Sequence, residues 1–126
     1  MSSFKFIEGG VTSAKGFRAA GVPAEIKYKG RNDVALIVAD APCAAAAVFT
    51  TNKVAAAPVL YDREVVKNGR IQAILANSGC ANACTGEEGL KDAKLSALVT
   101  AAAPWSVHCV TVAFEHFSQF IEPHIF

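Results

Sequence analysis

Residues 71–88 read Ile71-Gln72-Ala73-Ile74-Leu75-Ala76-Asn77-Ser78-Gly79-Cys80-Ala81-Asn82-Ala83-Cys84-Thr85-Gly86-Glu87-Glu88. Three kinds of structure follow one another here. Ile71 to Ala76 is a short, mostly apolar run of the kind that fills a strand buried on both faces. Asn77 to Thr85 crowds asparagine, serine, glycine and threonine into the gap before the next element. A loop that needed only to turn would not use so specific a mixture. Thr85-Gly86-Glu87-Glu88 fits a capping box, with Thr85 as the cap and Glu88 reaching back. Leu90, Ala93, Ala97, Leu98 and Ala101 then fall on one helical face. Strand, polar loop and helix in that order predict a domain that mixes both kinds of element.

Upstream, Val34 to Ala39 is a second buried-strand pattern, preceded by a turn at Gly30-Arg31-Asn32-Asp33. Phe17 to Lys29 can form strands, with Gly21 and Pro23 marking a bend or bulge. Ala44 to Thr51 is open by propensity: alanine favours a helix, while Pro42 in front and Val48-Phe49-Thr50-Thr51 behind favour a strand. Asp62 to Asn68 reads as a short helix capped by Asp62 and stopped at Asn68-Gly69. No strict strand–helix–strand alternation runs through the chain. The expected class is α+β, a layered mixed sheet with helices. Beyond Ala102 the composition shifts. Lys94 is the last basic residue, and His108, His116, His124, Trp105, Phe114, Phe117, Phe120 and Phe126 all fall in the tail.

Composition narrows the function. At 126 residues the chain is one domain or part of one. Its net charge of +1 gives no electrostatic case for nucleic acid or an anionic membrane. No apolar run approaches the roughly 20 residues needed to span a bilayer. Met1-Ser2-Ser3-Phe4-Lys5 has neither a signal core nor an Arg-rich transit pattern, so a cytoplasmic location is expected. Cys80 and Cys84 have no second ligand pair at zinc spacing, and His108, His116 and His124, even with Glu115 and Glu122 nearby, are not at helical ligand spacing. No metal site is expected.

Four stretches carry a resemblance: Gly9-Gly10-Val11-Thr12, Lys15-Gly16-Phe17-Arg18-Ala19-Ala20-Gly21-Val22, Val48-Phe49-Thr50-Thr51-Asn52, and the Asn77–Gly86 loop. In order and spacing the chain resembles the ornithine acetyltransferase family, the glutamate N-acetyltransferases of arginine biosynthesis. The likeness covers about residues 7 to 101. It implies that residues 1–101 are the N-terminal part of the family's α chain, an incomplete portion of the ornithine acetyltransferase fold, with 102–126 a divergent tail. It also favours a strand for Ala44 to Thr51. Cys80 stands where the family usually has asparagine, and Ala47 where it commonly has glycine.

The family moves an acetyl group from N-acetylornithine to glutamate, and some members also use acetyl-CoA; no other cofactor is implied. Its nucleophile is a threonine freed at its N-terminus by self-cleavage of the precursor, whose own amine serves as base. A Thr-Gly pair upstream stabilises the oxyanion. By resemblance the nucleophile belongs to a part of the family sequence beyond residue 126, and the oxyanion pair to the stretch soon after residue 101. Thr85-Gly86 has the letters of that pair but reads as an ordinary helix cap, and Thr111 lacks the flanking pattern of the nucleophile. No catalytic residue is therefore assigned, and the 126 residues alone are expected to be inactive. Asn77, Ser78, Asn82 and Thr85 are the candidate substrate-side residues, bracing the site from a strand end and a helix start, where ligands favour the crevice. The expected partners are the β half of the precursor or another copy of the chain, with amino-acid substrates in the full enzyme. The rival reading is a non-enzymatic interaction domain that pairs with another chain through exposed sheet edges. A weaker one is a thiol-based site at Cys80 and Cys84.

Overall fold

A computed structural model describes residues 5–102 and, as a strand, 109–114. Its sheet contains β1 (Phe17–Val22), β2 (Val34–Ala44), β3 (Arg70–Ser78) and β4 (Cys109–Phe114), adjacent in the order in which they occur along the chain. The first three pair antiparallel, and β4 lies parallel to β3. The sheet is therefore mixed, as expected. Two helices complete the domain, α1 (Ala57–Val65) and α2 (Gly86–Ala102). They pack on each other and against β4. Short 3-10 turns at Val11–Ser13 and Val66–Asn68 lead into β1 and out of α1.

The β2–β3 register sets the core. Leu36 faces Leu75 and Val38 faces Ala73. Because side chains alternate along a strand, these residues share one sheet face. Val38 and Ala73 are buried there with Ala97 of α2, and Leu36, Leu75 and Tyr61 of α1 pack around them. Most of the other buried apolar residues are again alanines: Ala39, Ala57, Ala76 and Ala93. Among the described residues no large side chain is fully buried. The layers meet through small residues, so helix and sheet backbones approach closely.

Several boundaries differ from the sequence reading. β1 stops at Val22, since Pro23 follows and lacks the N–H to continue a ladder. β2 runs on past Ala39 to Ala44 through a register shift, and Cys43 and Ala44 pair with Ile71 and Arg70. Pro42 is tolerated there because β1 pairs no further than Ala39, leaving that flank of β2 free of the β1 ladder. The strand expected over Ala44–Thr51 does not form beyond Ala44. Residues 45–50 lack regular structure, anchored by Ala45 N–H to Gly69 O at 3.0 Å and by the Arg63 guanidinium donating to Thr50 O.

α1 begins at Ala57 rather than Asp62. Pro58 sits in its first turn, where the ring's fixed φ suits the helix and no N–H is needed. Asp62 is buried in mid-helix rather than at the helix start. In α2 the buried line is Gly89, Ala93 and Ala97, with Leu90 and Ala101 half-buried. Leu98 departs from the expected face: it is 64% exposed, because the closest approach to the sheet uses the every-fourth-residue row of small side chains. The capping box does not close either. Glu88 accepts from Lys91 Nζ at 2.6 Å instead of reaching back to Thr85. No helix among the described residues is long and apolar enough to cross a membrane.

Candidate functional site

The loop between β3 and α2 is built from its own hydrogen bonds. Asn77 Nδ2 donates to Cys80 O at 3.0 Å, closing the first turn after the strand. Asn82 Nδ2 donates to Gly89 O at 2.8 Å, and the Thr85 hydroxyl donates to Asn82 Oδ1 and, at 3.3 Å, to Asn82 O. Asn82 O also accepts from Ala57 N–H at 3.0 Å, which ties the loop to the start of α1. Ser78 is buried at the end of β3, and its N–H donates to Asp33 O at 2.8 Å. The structure thus links Asn82 directly to Thr85, turns Asn77 back onto Cys80 and ties the Ser78 backbone to Asp33, all where β3 gives way to α2.

The loop's backbone explains its composition. Gly79, Asn82, Cys84 and Gly86 all have positive φ, at 100°, 50°, 59° and 62°. Glycine takes this region freely and asparagine better than most residues, whereas cysteine is less suited to it. Gly79 is required on a second count, because a Cβ there would lie 2.8 Å from Lys27 Cβ. Two cavities flank the loop. One, of about 340 Å³, lies among Ile26, Val34, Asn77, Cys80, Asn82 and Thr85, with Asp92 and Ser96 of α2 on its rim. The other, of about 480 Å³, lies between Lys53, Leu60, Cys84, Thr85 and Glu87. A larger, mostly apolar cavity of about 510 Å³ runs under the irregular 45–50 segment.

One residue near the loop escapes a sequence reading. Asp33 is buried, and its carboxylate accepts from Ala24 N–H at 2.6 Å and Ile26 N–H at 2.7 Å. The Ala24 N–H holds this carboxyl below its ordinary range; burial opposes that, and the Ile26 N–H, its own N–H and the Arg31 charge add to the lowering. The only signal in the sequence is an aspartate ending the Gly30–Asp33 turn, which a solvated turn residue would explain equally well.

Among the described residues no group of three or more His, Cys, Asp or Glu could hold a metal ion. His108, His116, His124, Glu115, Glu122 and Trp105 lie outside the described residues, as does the start of the chain at Met1–Phe4. Thr111 belongs to β4, opposite Leu75 of β3. Cys80 and Cys84 are exposed free thiols.

A sequence profile described as the ArgJ family matches residues 18–113, running through β4 and so past residue 101. The arginine biosynthesis bifunctional protein ArgJ of Symbiobacterium thermophilum is 52% identical over 101 residues, covering 79% of this chain and 25% of the relative. Its counterpart in Thermosynechococcus vestitus is 51% identical over 115 residues, covering 90% of this chain and 27% of the relative. The chain thus spans about a quarter of the length of the curated relatives it matches. Two solved structures share the fold. One is the ArgJ protein of Bacillus halodurans, with a TM-score of 0.77 at 40% identity over 92% of this chain and 61% of that one. The other is the ornithine acetyltransferase of Mycobacterium tuberculosis complexed with ornithine, with a TM-score of 0.72 at 41% identity over 91% of this chain and 63% of that one.

Proposed function

The chain belongs to the ArgJ family, and we propose that it forms the N-terminal part of the α half of a glutamate N-acetyltransferase. In that enzyme acetyl passes from N-acetylornithine to glutamate. The single observation that carries this reading is the matching of sequence and fold over most of the chain, at about half identity to proteins named for arginine biosynthesis. A second observation supports the two-piece architecture. The chain fills about a quarter of the curated relatives but more than half of each solved chain. Those solved chains are therefore much shorter than the curated sequences, as one half of a cleaved precursor would be.

On this reading Asn77, Ser78, Asn82 and Thr85 brace the substrate side of the site. The Asn77 and Asn82 amides and the Thr85 hydroxyl hold the loop, and none of the four residues can act as acid or base near neutral pH. The covalent step needs a nucleophile, and the family's threonine has no match among these residues. The 126 residues by themselves accordingly transfer no acetyl group. They work with the complementary β half, in a protein that uses amino-acid substrates and, in some members, acetyl-CoA.

The experiment is complementation. The 126-residue chain, mixed or co-expressed with a separately supplied remainder of the family enzyme, is assayed for glutamate-dependent loss of N-acetylornithine. Transfer by the mixture and not by either piece supports the reading. Family-like turnover by the chain alone refutes the proposed inactivity. One observation favours the rival reading of a non-enzymatic interaction domain, the exposed row Leu95, Leu98 and Val99 on α2. A remainder that binds tightly and restores no transfer would select that reading.

A further inference from the structure

The small cavity beside Asn77 and Asn82 has one wall that comes from far away in sequence, the loop after β1. Ile26 lines that cavity together with Asn77, Cys80 and Asn82 of the asparagine loop. The way this wall is held is unusual. Asp33 Oδ1 and Oδ2 accept separately from the N–H groups of Ala24 and Ile26. Glu25 between them has φ 55°. A left-handed residue flanked by converging N–H groups is an anion-binding nest, and here an internal carboxylate fills it. Left-handed backbone is unfavourable for a residue with a Cβ, and the two hydrogen bonds to the carboxylate offset that cost in this turn.

Asp33 is itself tied to the sheet through its backbone. Its N–H donates to Val22 O at 3.2 Å, and its carbonyl accepts from Ser78 N–H at 2.8 Å. Both ends of the clamp are therefore referred to the sheet at the point where the asparagine loop departs. The clamped segment also touches that loop directly, since a Cβ on Gly79 would meet Lys27 Cβ at 2.8 Å and Ile26 Cγ2 at 3.5 Å. Displacing the segment would move Ile26 out of the cavity wall and remove the surface on which Gly79 rests.

We propose that Asp33 is a positioning residue of the site: its carboxylate clamps the 23–32 loop so that Ile26 walls the Asn77–Asn82 cavity and sets how tightly an amino-acid substrate is held. The inference rests on reading that cavity as the substrate side of an acetyltransferase. Asp33 touches no substrate and takes no part in proton transfer. Its effect belongs to binding rather than to the chemical step, because what it fixes is the shape of a wall.

The test uses the full-length enzyme carrying this segment, with Asp33→Asn, Ile26→Ala and, as a control, Asp40→Asn, which breaks only the exposed Arg18–Asp40 pair. Trypsin reads the clamp without reference to activity, since Lys27, Lys29 and Arg31 lie in the loop. Asp33→Asn should speed cleavage there at least roughly tenfold, and Asp40→Asn should not. In steady-state assays Asp33→Asn and Ile26→Ala should each raise KM for the amino-acid acceptor roughly tenfold with kcat within about twofold. Ile26→Ala should leave cleavage unchanged. Cleavage unaltered in Asp33→Asn overturns the clamp. Faster cleavage with an unchanged KM, or a kcat that falls as far as kcat/KM, overturns the positioning role. If Asp33→Asn does not fold, amide exchange in the wild type decides the clamp: Ala24 and Ile26 should exchange far more slowly than Tyr28 and Gly30, and equal rates overturn it. Ile26→Ala then decides the wall. A wild-type enzyme with no acetyl transfer refutes the functional reading, while cleavage and exchange still decide the clamp.

Discussion

Asn82 shows how much one amide can organise. Its side chain reaches Gly89 and receives Thr85, while its carbonyl receives the first N–H of α1. Asn82→Ala removes the side-chain links and leaves the carbonyl in place. In a full-length enzyme it should lower acetyl transfer by about ten- to a hundredfold, the scale at which small misplacements act, and self-cleavage of the precursor should persist. Asn77→Ala breaks the single bond to Cys80 O and should cost less. Side-by-side assays of transfer and cleavage check both, and unchanged transfer in the two variants would return the loop to a self-satisfied turn. Asp33 gives a pH signature. Its folded pKa is depressed, so between the folded and unfolded values the unfolded chain binds more protons and stability rises with pH. The contribution is complete above the ordinary carboxylate range near about 4 and is lost as pH falls through the lower folded value. Urea midpoints measured from about pH 6 downward should therefore decline in the wild type more steeply than in Asp33→Asn, and parallel declines would remove the linkage. At this scale the sequence singles out Asn77, Asn82 and Thr85, whose side chains bond within the loop and the first turn of α2. It does not show their partners. Glu88 is placed to answer Thr85 by spacing, yet Lys91 lies three residues further along the same helix and takes it.

Elements were legible where hydrophobic runs were continuous, as in β2, β3 and α2. They were misread where a single residue could serve two purposes. Pro42 sits inside β2 on the flank that β1 leaves free, and Pro58 lies in the opening turn of α1, upstream of the Asp62 start that the sequence suggests. The α2 face is as expected at Ala93 and Ala97 and departs at Leu98, because leucine outranks glycine in any hydrophobic count, whereas close packing on the sheet selects Gly89, Ala93 and Ala97. Gly89 provides a test in which two effects have opposite signs. Helix propensity favours Gly89→Ala by about 1 kcal/mol. A Cβ there would come within 1.8 Å of Thr85 Oγ1, 2.3 Å of Asn82 Oδ1 and 2.6 Å of Thr85 Cβ. Thr85 must turn away and give up its bond to Asn82, and overpacking of this kind costs about 1–3 kcal/mol. The expected net effect is destabilisation, read as a lower denaturation midpoint. A midpoint raised in Gly89→Ala would mean that the contact is relieved without loss.

For the molecule as a whole, the sequence pointed to a mixed α+β sheet and to the family through four short motifs, and both readings hold. What it could not reveal was which apolar residues stay uncovered, because that depends on what else packs against the sheet and helices. Leu95, Leu98 and Val99 are 59%, 64% and 65% exposed along one side of α2, and Val48 is 99% exposed. Contiguous apolar surface of this kind promotes association. The isolated 126-residue chain should therefore sediment with a concentration-dependent mass, and Leu95→Lys with Leu98→Lys should shift it towards the monomer. A wild type that is monomeric at every concentration would contradict this. The order of the strands has a consequence of another sort, for synthesis on the ribosome. β2 and β3 each pair antiparallel with the strand before them, so emergence of β3 delivers a finished three-stranded unit. Only β4 must wait, because a parallel neighbour can join β3 only after the α2 crossover has been made. The chain can begin to fold from its N-terminal side while later residues are still in the exit tunnel, and the slow, long-range pairing falls at the end.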